Sequence, residues 1–364
     1  MSIKYKWLAN CLQDLIQENI KNGIEKLPTE AQLCDEYKVS RQTVRQALTL
    51  LEKNSQIVKK QGSGSYITGL SVNSSLNTIG IILSESQDYI YPGVIQDIQN
   101  TLYQNGYSSK LFETKNRTYI ERVVLQDILK TPLKGIIVEG CKSALPNPNV
   151  DLYLKLKNKG IHIIFLYNHY PLLPDSLYLM DDNYQGSSLL VKHLIDQGHT
   201  AIGGIFKADD LQGIERYQGF IETMSDFDLS VYDHRIAWFR TADIEYIKKE
   251  NDISYFRKIV QDSFKSCTAI VCYNDEISYW LLKALRAEGY NLPEDKAIVS
   301  FDKTYLSNSD MLTITSVSHK PHEMGTTVAL LMVDKCKGLT ITPHKIPWEL
   351  TIRNSTPKRD KPSS

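Results

Sequence analysis

Between Ser40 and Gln46 the chain reads Ser-Arg-Gln-Thr-Val-Arg-Gln, a run rich in side chains that can read base edges. Arginine pairs bidentately with guanine O6 and N7, and glutamine with adenine. Arg41 and Arg45 are one helical turn apart, so one can meet a base while the other holds a phosphate. Val44, Ala47, Leu48 and Leu51 fall on the other side of such a helix and must face a core. Gln42, Arg45 and Gln46 then form its outward face, with Arg41 and Thr43 on the flanks. Ser40 is placed as the N-cap. Downstream, Lys59-Lys60-Gln61-Gly62-Ser63-Gly64 joins charge to a tip without bulky side chains, where backbone amides can approach a groove or a phosphate. Two arginines alone would be an ordinary solvated helix face. The turn before them and the glycine-rich hairpin after them argue for nucleic acid.

The elements that must hold these groups are legible. Trp7, Leu8, Cys11, Leu12, Leu15 and Ile16 recur at helical spacing and predict a first helix from about Lys4 to Asn22, ended by Gly23. Thr29 caps a second helix with Glu30 in its first turn, where the dipole favours an anion; Ala31, Leu33 and Cys34 are read as facing inward. The third helix follows Ser40, and Ile57–Ile67 reads as strand, turn, strand.

Net charge is zero over 364 residues, but residues 1–70 carry ten Lys/Arg against seven Asp/Glu and the remainder 32 against 35. A mildly basic head on a mildly acidic body suits docking of one end on phosphate. The six cysteines form no CxxC pair and no zinc spacing, so no metal site is expected and reduced thiols are. No signal peptide or membrane-spanning run is present in the sequence, and a cytoplasmic location is expected.

From Thr78 onward, short apolar runs (Ile79–Leu83, Gly135–Val138, His162–Leu166, Ala201–Phe206, Ala269–Cys272, Ala297–Phe301) alternate with amphipathic segments (Val94–Asn105, Ile120–Lys130, Gly186–Gln197, Arg216–Met224, Asp275–Glu288). That pattern predicts a doubly wound parallel α/β architecture, and its length predicts two lobes with a cleft. Ligands in such sheets bind beyond the carboxyl ends of strands. Those ends carry Asp88, Tyr89 and Tyr91; Glu139 and Lys142; Tyr167 and Asn168; Asp181 and Asp182; Phe206-Lys207-Ala208-Asp209-Asp210 with Gln212 and Arg216; Tyr273-Asn274-Asp275-Glu276; and Phe301-Asp302. Aromatic faces against ring C–H groups, with carboxylates, amides and guanidiniums sharing hydroxyls, is the chemistry of polyol binding. Strand-end Asp and Asn are also common helix caps, and Asp275 suits either role. The candidate effector residues are Tyr89, Tyr91, Glu139, Lys142, Tyr167, Asp182, Phe206, Asp209, Gln212, Arg216, Asn274, Asp275, Phe301, Asp302 and His319.

Residues 4–68, through Leu-Pro-Thr-Glu, Ser-Arg-Gln-Thr-Val-Arg and Gln-Gly-Ser-Gly-Ser-Tyr-Ile, resemble the winged-helix head of GntR-type bacterial regulators. The resemblance implies contacts to double-stranded operator DNA, or orientation of them, by Lys4, Tyr5, Glu30, Arg41, Thr43, Arg45, Gln61 and Gly62. Ser40, Gln42, Ser63 and Gly64 join the DNA-binding set. Ser65 stands where that family commonly has threonine. Residues 78–354 resemble the LacI/GalR-type effector domain, itself similar to periplasmic sugar-binding proteins, through DDNYQGSSLLVKHLIDQGHTAIGGI, YNDEIS and AIVSFDKT. That likeness places Arg216, Asn274 and Asp302 as the principal hydroxyl-binding residues and His319 as a further one. The pairing of head and body, with KSALPNPN, GIFKADDLQGIER and CYNDEIS, is similar to the arabinose-responsive repressors of Gram-positive bacteria. It implies a homodimer on a palindromic operator, released by L-arabinose, with no cofactor and no membrane.

Expected boundaries are 1–68 for the winged helix-turn-helix, 69–77 for a linker without an amphipathic helix, 78–354 for the two-lobed effector and dimerisation body, and 355–364 for a disordered tail. Residue chemistry alone leaves open which monosaccharide or polyol is bound and whether the outcome is repression or activation. An enzyme is disfavoured: His193, His199 and His234 accompany no serine or cysteine in a nucleophile motif.

Overall fold

The computed structural model describes residues 2–21, 24, 26–53, 56–60, 63–67, 77–87, 89–309 and 312–359. They divide into two compact units, Met1–Asn77 and Thr78–Ser364. The expected linker, apart from Asn77, and the wing-tip residues Gln61 and Gly62 lie outside the described residues, as do Gly23, Asp88 and residues 360–364.

The first unit has three helices, α1 (Ser2–Lys21), α2 (Glu30–Tyr37) and α3 (Arg41–Lys53), then the antiparallel hairpin β1 (Ile57–Lys60) and β2 (Gly64–Ile67) in the register Ile57↔Ile67 to Lys60↔Gly64. Its core is one stripe from each helix: Leu8, Leu12 and Ile16, then Leu33, then Val44, Ala47, Leu48 and Leu51, closed by Leu27, Ile57 and Ile67. Each such aliphatic side chain stabilises the fold by roughly 1.5–3 kcal/mol on burial. Thr29 starts α2 through a reciprocal box: its Oγ1 accepts from Gln32 N, and its own N–H donates to Gln32 Oε1. One inward assignment is corrected: Ala31 is exposed, because α2 offers the core only Leu33 fully. Trp7, on the apolar stripe of α1, is half exposed, set edge-on to Tyr37 with centroids 6.3 Å apart.

The second unit has two lobes of like construction. In the first, β3 (Thr78–Leu83), β4 (Ser108–Glu113), β5 (Gly135–Val138), β6 (His162–Leu166), β7 (Leu177–Asp181) and the late strand β15 (His344–Ile346) make an all-parallel sheet ordered β15-β7-β6-β5-β3-β4. Helices α4 (Tyr91–Gln104) and α12 (Glu323–Cys336) cover one face; α5 (Thr118–Lys130) and α6 (Val150–Asn158) cover the other. In the second, β8 (Ile202–Lys207), β9 (Ile236–Phe239), β10 (Ala269–Cys272), β11 (Ala297–Phe301), β14 (Thr315–Ser318) and the antiparallel edge β16 (Glu349–Thr351) are ordered β16-β14-β11-β10-β8-β9. A small pair, β12 (Asn308–Ser309) and β13 (Leu312–Thr313), lies apart. Helices α7 (Asn183–Asp196) and α8 (Leu211–Asp226) pack on one face; α9 (Thr241–Glu250), α10 (Ser254–Ile259) and α11 (Asp275–Ala287) pack on the other. Parallel strands buried on both faces explain the continuous apolar runs.

The chain passes between lobes three times: from β7 to α7, from β14 to α12, and from β15 to β16. The segment 355–359 corrects the expected tail. Ser355 is fully buried; its N–H donates to Thr313 O and its Oγ to Ile298 O, while Thr315 N donates to that Oγ. Thr356 Oγ1 lies 2.8 Å from both His193 Nε2 and Thr315 Oγ1, and Arg359 N donates to Gln197 O. A polar segment docks here because the edge of the second lobe offers it backbone partners.

Candidate functional site

On α3, Arg41, Gln42, Arg45 and Gln46 are exposed and Thr43 half-buried, while Val44, Ala47, Leu48 and Leu51 are buried. Ser40 caps the helix, its Oγ accepting from Thr43 N at 3.3 Å and lying 2.9 Å from Thr43 Oγ1. Arg45 Nε donates to Glu30 Oε2 at 2.9 Å, an ion pair open to solvent on both sides. This bond uses only Nε, so α2 orients the guanidinium and leaves both terminal nitrogens for a base edge. Lys59 in β1 reaches back to Thr49 Oγ1 at 3.2 Å and Glu52 at 3.4 Å, tying the wing to α3. Ser63 is exposed beside the tip, its Oγ 2.6 Å from Tyr66 OH, and Gly64 sits at φ +114°, where a side chain would be strained. Lys4 is exposed and Tyr5 half-buried on α1.

In the second unit a cavity of about 630 Å³ lies between the lobes. Of the expected residues it gathers Tyr89, Tyr91, Glu139, Tyr167, Gln212, Arg216, Asn274, Asp302 and His319. Arg216, buried in α8, organises the floor. Its Nε donates to Asn183 Oδ1 at 2.9 Å and its Nη1 to Tyr273 O, and its guanidinium lies 4.7 Å from the Tyr273 ring and 4.1 Å from Phe301. Nη2 stands 3.9 Å from both Asp181 Oδ2 and Asp302 Oδ1. Those spacings exceed a hydrogen bond, so Nη2 keeps a donor and each carboxylate an acceptor for a hydroxyl. Asp302 has φ +89° and its Oδ2 accepts from Tyr89 OH at 2.6 Å across the cleft. Glu139 accepts from Ser84 N, Ser84 Oγ and Tyr91 OH. Burial pushes its carboxyl above the ordinary range although the Ser84 bonds oppose this. Lys207 Nζ donates to Asp210 Oδ2 at 3.3 Å; burial acts to lower its value, but Asp210, Asp209 and Glu139 hold it above the usual lysine range.

Six expected residues lie outside the cavity. Phe206 points the other way along β8, into a core with Phe220 and Tyr217, and Lys207 one step on takes the cleft side. Phe301 is buried beneath Arg216 and supports it. Asp182 caps α7 through Gln185 N, and its predecessor Asp181 lines the cavity. Asp209 accepts from Thr241 N at the start of α9, and Asp210 lines the cavity while also capping α8. Lys142 is exposed with φ +46°. Asp275 is buried at the head of α11, its Oδ2 accepting from Thr304 N and Oγ1, so it holds the turn that carries Asp302. Trp348 and Ser84 also line the cavity; Ser84 directly follows the predicted strand Ile79–Leu83 and the strand-end rule could have found it, whereas no motif or strand end pointed to Trp348. Among the described residues no group of His, Cys, Asp and Glu could hold a metal ion, and no helix is long and apolar enough to cross a membrane.

Residues 5–67 match the model of bacterial regulatory proteins of the gntR family, and residues 191–356 that of the periplasmic binding protein-like domain. An arabinose metabolism transcriptional repressor of Geobacillus stearothermophilus is 35% identical over 343 residues, covering 91% of this chain and 92% of the relative. The protein of the same name from Halalkalibacterium halodurans is 32% identical, covering 92% and 89%. The chain belongs to this family of transcriptional repressors. It is therefore a DNA-binding regulator and not an enzyme. The fold of its body is shared with a periplasmic binding protein/LacI transcriptional regulator from Alkaliphilus metalliredigens, solved with D-xylulofuranose (TM-score 0.64, 21% identity, 77% of this chain and 99% of that one).

Proposed function

We propose that this regulator represses arabinose-utilisation genes, binding palindromic operator DNA as a dimer through α3 and the wing, and that L-arabinose in the interlobe cleft releases it. The observation that carries the effector assignment is the fork at Arg216: one guanidinium nitrogen 3.9 Å from each of two carboxylates, which together offer neighbouring hydroxyls one donor and two acceptors. Among the residues lining the cavity nine Asp/Glu outnumber six Lys/Arg, so a neutral polyol fits and a sugar phosphate would meet net repulsion. The names of the family's curated members support arabinose. Two heads carried by paired bodies would meet half-sites at a set spacing. Sugar and operator must each weaken the other by the same factor.

Gel shifts on the operator with and without L-arabinose test the switch, and calorimetric titration of a pentose and hexose panel tests the ligand. Release at saturating L-arabinose alone is expected. Operator binding unchanged by L-arabinose refutes induction by it, and tighter operator binding with sugar refutes release.

A further inference from the structure

One side chain touches all three passages between the lobes. His319 stands on the second, between β14 and α12. Its Nε2 lies 2.8 Å from Asp181 Oδ1, on the first, and its Nδ1 3.2 Å from the carbonyl oxygen of Pro347, on the third. Its ring stacks on Trp348, also on the third, with centroids 3.8 Å and planes 23° apart. The first and third passages are further laced by Asp182 N to Ile346 O at 2.9 Å and by Gln185 to the Trp348 backbone. A carboxylate and a peptide carbonyl are both acceptors without a hydrogen to give. A neutral imidazole has one N–H, so it can satisfy one of these oxygens and must oppose a lone pair to the other. Only the doubly protonated ring makes both bonds.

We propose that His319 is a positioning residue of the effector site: as an imidazolium it pins the three lobe crossings in the register that sets Asp181 against Arg216. This rests on reading the cleft as the sugar site. The ring is not itself free to serve hydroxyls, since both nitrogens are engaged. The charged groups around it are Asp181 at the end of β7, Asp302 at the end of β11, Arg216 on α8 and the adjoining exposed Lys320. Burial lowers the affinity of the ring for its proton, but the bond to Asp181, that carboxylate's charge and the Pro347 carbonyl outweigh it and hold the group above the ordinary histidine value. The pin is therefore complete on the acid side of neutrality, and one of its two bonds is lost as pH rises through the shifted value.

The test uses the full chain labelled with 15N-histidine, with His319 assigned by the resonance that disappears in His319→Gln. Glutamine can donate one of the two bonds and cannot carry the charge. Both ring nitrogens of His319 protonated at pH 7 are expected. L-arabinose affinity, measured by calorimetry from pH 6 to 9, should weaken by about tenfold in the wild type, the loss of one hydrogen bond to a charged group. In His319→Gln the part of that decline owed to this ring should be missing; other titrating groups are present in both proteins and cancel in the difference between the two profiles. A single neutral tautomer at pH 7, or a variant whose affinity follows the wild-type pH profile, overturns the proposal. Wild type that binds no sugar at any pH while His319 is doubly protonated supports the pin and overturns the effector reading.

Discussion

Replacing Asp275 by Asn isolates a cost built into the turn that carries Asp302. The carboxylate is fully buried at the N-terminus of α11. Its Oδ2 accepts from the backbone and side chain of Thr304, and Tyr89 OH lies between this residue's backbone N–H and Asp302. Burial first, then the Asp302 charge, raise its carboxyl from 3.8 to about 7, against opposing hydrogen bonds. The unfolded chain releases this proton near 3.8 and the folded chain keeps it to about 7, so the folded state binds more protons in between. Stability then falls as pH rises across that window and levels off above it. At about 1.4 kcal/mol per pH unit, some three units amount to about 4 kcal/mol at pH 8. The Asn carboxamide oxygen can accept both Thr304 bonds without ionising. Asp275→Asn should therefore resist urea more than the wild type at pH 8, by a few kcal/mol within that ceiling, and the gain should shrink to about 1.5 kcal/mol at pH 5, vanishing only below the unfolded value of 3.8. Unfolding monitored at pH 5, 6.5 and 8 reads this directly. An identical pH dependence in the two proteins refutes the reasoning, because the proton would then not reside on Asp275.

Three other substitutions separate the layers of the molecule. Arg45→Ala should weaken operator binding in gel shifts by about 5- to 150-fold, a base contact of this kind being worth roughly 1–3 kcal/mol of discrimination, while calorimetric L-arabinose affinity stays at the wild-type value; a normal footprint would mean α3 is misassigned. Arg216→Lys keeps a charge but loses the Asn183 and Tyr273 bonds, so sugar affinity should fall about a hundredfold, as expected for about 3 kcal/mol, and operator binding should persist at L-arabinose concentrations just sufficient to release the wild type. Ser355→Ala leaves the N–H of Thr315 and the carbonyl of Ile298 without this partner and should cost about 2–4 kcal/mol in urea unfolding.

The buried parallel strands were legible because both their faces are covered: Gly135–Val138, His162–Leu166, Ala269–Cys272 and Ala297–Phe301 end where the apolar runs end. β4 and β9, the edges of their sheets, were not, since an edge strand such as Ser108–Glu113 shows half-exposed and exposed residues along its length. α12 lies against α4 and against the first sheet, so its apolar residues spread around the helix and its periodicity is weak. Within the site, both Asp-Asp pairs were resolved to the wrong member. Asp181 and Asp182, like Asp209 and Asp210, differ by one position at a strand end, where a single step decides between lining a cleft and capping a helix. Chemistry cannot distinguish two aspartates; only the point at which the strand stops can, and element ends are the least determined feature of a sequence. Phe206 failed through the same parity, Lys207 taking the cleft side. Trp348 reaches the cavity from a passage whose path depends on contacts far away in the chain, which leaves no local trace.

The lobes already hold each other through bonds that need no sugar. Tyr89 reaches Asp302, Asn116 reaches Thr241 at 2.6 Å, Arg117 pairs with Glu245 at 3.2 Å, Ser143 accepts from Leu211 N, and Gln212 donates to Tyr167 O. At about 1 kcal/mol each, they are comparable to the few kcal/mol that separate alternative arrangements of a two-lobed body. A ligand can move such an equilibrium only by its differential affinity for the two arrangements, however tightly it binds. The groups that can supply that difference are those with bonding capacity left on facing lobes: Asp181 at the end of the first sheet, and Arg216 and Asp302 in the second lobe. A hydroxyl pair spanning them adds bonds that neither lobe can make alone. Residues already satisfied within one lobe, such as Glu139 with Ser84 and Tyr91, can hold a sugar in place but contribute little to choosing between arrangements. If the cleft is the effector site proposed above, selectivity and switching thus rest on different members of it.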